Sequence, residues 1–256
     1  MDAVGPVVLM LGELVIVVGL LFLADRWLHQ HLQGVMFLLA HDREIALWLY
    51  ALVLFPGVFL HEISHALVAA VLGVKIGRIN IFPRRIGKRI QLGFVPIQET
   101  DFLRASLIGA APLFAGSAVI FALGQHIFGT PEVVMALSKA DWLAALQGLR
   151  AAFHAPDMWL WAYLAFAVGN TMIPSRADVH AWPLLIGVLV GIGAIIFLAG
   201  GDTLLLEGLS RFLTWAMRWV ILLGGSTLLV DLPFFSVIFL FEKLLERLTQ
   251  QRIVYR

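Results

Sequence analysis

The chain has 256 residues, 61% hydrophobic and 14% charged, with a net charge of +1 and a mean hydropathy of +0.92. Soluble globular domains carry about 45–50% apolar and about 25% charged residues, so the surplus apolar surface implies lipid as solvent and excludes an ordinary soluble domain. Cysteine is absent, which excludes disulfides, thiolate nucleophiles and Cys-held zinc or iron–sulfur centres, and no basic tract suggests nucleic acid as a partner.

In chain order, the first apolar run covers residues 5–23, broken only by Glu13. No basic residue precedes it and no small-residue cleavage site follows, so it is expected as a retained membrane helix rather than a secretory leader. Further apolar stretches occupy residues 45–73, 103–128, 158–174, 182–200 and 219–241. Residues 131–153 and 203–218 carry apolar positions at helical spacing among scattered charges, which suits helices lying at the interface. A count of seven, with 203–218 inserted, is the competing arrangement. Residues 74–97 differ: VKIGRINIFP and RIQLGFVPI are β-branched runs on either side of Arg84, Arg85, Gly87 and Lys88, and predict a hairpin. An open sheet edge cannot face lipid, so the hairpin must lie at the interface or be covered by protein.

These elements predict an all-α polytopic membrane protein of about six transmembrane helices with a small membrane-associated β-hairpin. Residues 1–44 form a first helix and connection, 45–180 a core of three spans plus the hairpin, and 181–256 the last helices and a short basic tail. With six spans, twelve basic residues, among them Lys75, Arg84, Arg85, Lys88 and Arg256, fall on one side and six, among them Arg26 and Arg43, on the other. Basic loops favour the cytoplasm, so the hairpin and both termini are expected there, in a cell or inner membrane.

The second apolar stretch contains His61-Glu62-Ile63-Ser64-His65. Positions i and i+4 of a helix project from nearly one face, so the two imidazoles can share one Zn²⁺ at about 2.0–2.1 Å. Glu62 points about 100° away, near enough to take a proton from water at the metal. Ionisable groups at membrane depth are costly and mark function. A third ligand is needed: Asp178 lies at a suitable depth if Pro174 breaks the fourth stretch, and His180 is its rival.

These residues carry a resemblance. The HExxH helix FLHEISHALVAA, the basic hairpin, GAAPLFAG at 109–116 and the eight-residue step from Asn170 to Asp178 resemble the site-2 protease family of intramembrane zinc metalloproteases. The resemblance spans about half the chain and implies His61, His65 and Asp178 as ligands of one zinc per chain. It implies Glu62 as catalytic base and Asn170 as a polar residue at the site. The implied substrate is a transmembrane segment of another protein, with a regulatory membrane protein as a further partner. The chain departs from the family pattern at Ala111, at Pro174 and at Val179-His180, where other residues are usual. For 109–116, small residues that let helices approach closely are the preferred reading. A non-proteolytic zinc-binding membrane adaptor is the alternative function. A membrane zincin with a cytosolic catalytic domain would need a hydrophilic domain that is not seen in this sequence.

Overall fold

The computed structural model describes residues 4–87, 89–198 and 203–255. Lys88 and Arg256 of the charge count, and residues 199–202, lie outside them. The described chain is mostly helical: α1 (Val4–Ala40), α2 (Arg43–Val71), α3 (Phe102–His126), α4 (Thr130–Ser138), α5 (Trp142–Phe153), α6 (Met158–Gly169), α7 (Trp182–Leu198) and α8 (Thr203–Thr249). A small antiparallel sheet joins β1 (Arg84–Ile86) to β2 (Arg89–Gln91). Three described helices, α2, α3 and Glu207–Thr249 within α8, are long and apolar enough to cross a membrane, while α6 and α7 are shorter apolar helices.

Local chemistry explains the boundaries. Asp42 caps α2 by accepting the N–H groups of Glu44 and Ile45. Asp101 does the same for α3 through Leu103 and Arg104, and these bonds, led by that from Arg104, hold its carboxyl below the usual carboxylate range. α1 continues well past residue 23. Asp25 and Arg26 do not end it, because Asp25 accepts from His29 one turn on (3.0 Å), and His29 in turn accepts from the Tyr50 hydroxyl of α2 (2.7 Å). The expected interfacial segment 131–153 is split into α4 and α5, where Ala140 takes φ 54° and Asp141 caps Ala144.

The C-terminal third departs most from expectation. Residues 203–218 are not a separate interfacial helix but the first part of the 47-residue α8. No proline stands between Thr203 and Leu232, and the helix simply continues through Arg218. At about 1.5 Å per residue α8 is about 70 Å long, more than twice the hydrocarbon thickness of about 30 Å. α1 and α8 run parallel: a Cβ at Gly224 would meet Val17 and Leu21, whereas Glu242 bonds His31 and accepts from Tyr255. The described chain ends therefore lie at opposite ends of this pair, a geometry that an even number of crossings does not produce.

The main core joins α1, α2, α6 and α8. Leu28, Leu32, Val35 and Leu38 repeat at helical spacing and meet Tyr50, Leu54 and Val58, with Phe166, Ile238 and Leu245 completing the cluster. A second cluster joins Ile120 and Leu123 of α3 to Ala165 and Val168 of α6.

The hairpin is extended by two further bridges, Asn80 with Phe94 and Ile76 with Ile97. Its second arm packs on protein, with Val95 buried, while residues 75–79 of the first arm stay exposed. Ile97 packs near Ala69, Gly93 lies against Glu62, and Ile90 joins the core containing Tyr50. The second arm, 90–97, thus runs parallel to α2 along most of its length. Arg85 of the hairpin tip lines the same cavity as Arg43, a residue that the charge count placed on the other side. The eight residues from 90 to 97 span about 23 Å when extended, enough to follow α2 over that distance.

Candidate metal centre

His61 and His65 lie on one face of α2 and their Nε2 atoms face each other at 3.2 Å. Asp178 comes to the same point from the turn between α6 and α7, with Oδ1 3.1 Å from His65 Nε2 and Oδ2 3.7 Å from His61 Nε2. Adjacent edges of a tetrahedral site with ligands at about 2.0–2.1 Å measure about 3.3–3.4 Å, so these three separations suit a single ion. Among the described residues this is the one group of three His or carboxylate side chains arranged to hold a metal. His180, the rival ligand, is outside it and instead bonds Ala177 O through Nδ1 at 2.6 Å.

The far nitrogens decide what the near ones can do. His61 Nδ1 is 2.7 Å from the carbonyl oxygen of Thr171, and His65 Nδ1 is 2.8 Å from that of Ile108. A carbonyl only accepts, so each Nδ1 carries the proton and each neutral Nε2 offers a lone pair. Two lone pairs and a carboxylate converge with no donor among them, which is the chemistry of a cation site.

Each orienting carbonyl has a local cause. Within α3 the oxygen of Ile108 would ordinarily accept from the N–H of residue 112, but Pro112 has none, and the carbonyl is left to His65. Thr171 follows the end of α6, where Asn170 caps the helix and no further turn claims its oxygen. Gly57, one turn before His61, allows the approach: a Cβ there would collide with Ala167 O and Thr171 Oγ1. Gly109 plays the same part for Asp178, whose carbonyl oxygen occupies the space a Cβ would need, and Gly116 for Met172. The close-packing reading of 109–116 is thus seen in the contacts, with Pro112 adding a hydrogen-bonding consequence.

The fourth stretch stops at Gly169 rather than at 174, and the chain then turns through Pro174. The Ser175 N–H donates to Asp178 Oδ2 at 2.6 Å, which fixes the carboxylate toward the histidines. Glu62 is 7% exposed and packs under the hairpin, where a Cβ on Gly93 would lie 2.6 Å from its Cγ. Only a glycine lets the strand backbone pass so close. Asn170 is also buried, and its amide donates to Phe166 O at 2.9 Å and to Asp231 Oδ1 of α8 at 2.8 Å. Asp231 is 1% exposed, and its Oδ2 has no partner among the described residues. A cavity of about 420 Å³ reaches His65 and Asp178 and is walled by Gln98, Glu99, Gly109 and His180.

No protein-family model matches the chain, and neither a curated protein nor a solved structure does. The functional reading therefore stands on the geometry just described.

Proposed function

We propose that this chain is an intramembrane zinc metalloprotease that hydrolyses peptide bonds in or near transmembrane segments of other proteins. The observation that carries the proposal is the convergence of His61 Nε2, His65 Nε2 and the Asp178 carboxylate beside Glu62, on a helix apolar enough to cross a membrane. His61, His65 and Asp178 hold one zinc ion. When bound, zinc supplies Lewis acidity, acidifying water and polarising a scissile carbonyl. Glu62 accepts the proton of the attacking water and returns it to the leaving amine. The Gly93 strand lies over Glu62, so an unwound substrate backbone can align with the hairpin edge by strand addition. Unwinding is required because a helix hides its scissile carbonyls within its own hydrogen bonds. Asn170 keeps the role of a polar neighbour, and its bond to Asp231 ties the end of α6 to α8.

In this reading the chain sits in a cell membrane, the shorter α6 and α7 completing the bundle around the site. The cavity beside His65 and His180 gives water its entry. The test is cleavage of a reporter transmembrane helix by the full chain reconstituted in vesicles. Chelation should stop cleavage and zinc should restore it. Persistent cleavage in chelator would exclude metal chemistry, and bound zinc with no cleavage of any helical reporter would favour the adaptor alternative.

A further inference from the structure

A second cavity, of about 490 Å³, lies at the other end of α2. Four chain segments wall it: the second half of α1, the start of α2, the hairpin tip and the C-terminal tail. The tail is pinned there, because Tyr255 donates to the buried Glu242 at 2.9 Å and its ring lies 4.4 Å from that of His31. Ile253 packs against the main core. Arg43 and Arg85 both line the space, with Gln30 and Gln33 as further polar neighbours. Phe37, Leu47 and Ile90 supply apolar lining.

Neither guanidinium has an ion-pair or hydrogen-bond partner among the described residues. The nearest acids in sequence do not neutralise them: the Asp42 carboxylate is used as the cap of α2, and Glu44 does not line the cavity. Arg43 and Arg85, both exposed, come from segments more than forty residues apart to line one cavity, a placement that suits an anion between them. The polar run Asp42-Arg43-Glu44 marks where α2 emerges from apolar surroundings, which is headgroup depth for a membrane helix. Guanidinium forks match phosphate oxygens, and basic pockets between membrane helices are suited to lipid headgroups.

We propose that this cavity is a binding site for the phosphate group of an anionic amphiphile, with Arg43 and Arg85 on the phosphate and the Phe37–Leu47–Ile90 wall against the chain. The site is separate from the metal centre and independent of its chemistry.

The test uses the full chain in neutral detergent and three probes: dihexanoyl phosphatidylglycerol, dihexanoyl phosphatidylcholine and inorganic phosphate. Binding is read by titration calorimetry for wild type, Arg43→Gln/Arg85→Gln, and Lys75→Gln/Arg78→Gln, which removes equal charge outside the cavity. Phosphatidylglycerol should bind wild type about 10-fold or more tightly than the Arg43/Arg85 variant, with the Lys75/Arg78 variant unchanged. Weaker binding of phosphatidylcholine identifies an anionic lipid as the source, whereas inorganic phosphate binding as tightly as the lipid identifies free phosphate. Equal losses in both double variants, or none in either, would overturn the proposal.

Discussion

Glu62→Gln should lower the proposed peptide hydrolysis by about 10²–10⁴-fold, the range for loss of a positioned general base, and should leave metal binding intact. The amide is nearly isosteric, so it keeps the packing under Gly93, where a Cβ would lie 2.6 Å from the Glu62 Cγ. The proposed ligands are His61, His65 and Asp178, none of which changes. Cleavage of a reporter helix in vesicles, with metal content measured on the same sample, checks both halves. Unchanged cleavage would remove Glu62 from the chemistry, whereas loss of metal would make it a structural support of the ligands.

The second large effect belongs to a residue with no chemistry of its own. Gly109→Val places atoms where the carbonyl oxygen of Asp178 now lies, so the turn between α6 and α7 must move away from α3. Asp178 then leaves the two Nε2 atoms, and the site keeps two protein ligands instead of three. Metal affinity should fall at least about 100-fold, the upper range for loss of supporting groups, and cleavage with it. Gly187→Val serves as the control, since nothing lies within 4 Å of a Cβ at that position on α7. Retained affinity in Gly109→Val, with cleavage intact, would show that Asp178 is not required at the metal.

The parts of this centre that were legible in the sequence are side chains at fixed spacing. HEISH announces two imidazoles on one helical face because the helix repeat puts i and i+4 together. Asp178 was accessible through depth and through the break at Pro174, and the structure brings it to within 3.1 Å of His65. The backbone partners were not legible, since any residue has a carbonyl. A signal for one existed nonetheless: Pro112 stands four residues after Ile108 and removes the donor that would have claimed its oxygen. Gly57 likewise shares the stripe of His61 and His65, which marks a close approach on the same face.

At the level of the fold, caps and apolar runs located most helices, but two features depend on tertiary contacts that periodicity does not encode. One is the path of the hairpin, whose alternating pattern is the same whether it lies along an interface or returns beside α2. The other is the continuity of α8, where charges at Glu207, Arg211 and Arg218 resembled a separate interfacial helix. Glu207 and Arg211 pair at 3.2 Å one turn apart, so these charges support one continuous helix rather than a separate one.

The most direct test of the metal centre is elemental analysis of the purified full chain beside His65→Ala, Asp178→Ala and His180→Ala. One zinc per chain is expected for wild type and for His180→Ala, with zinc lost or greatly reduced in His65→Ala and Asp178→Ala. Wild-type protein without stoichiometric metal after zinc loading, or equal zinc in all four proteins, would contradict the assignment of His61, His65 and Asp178 as its ligands.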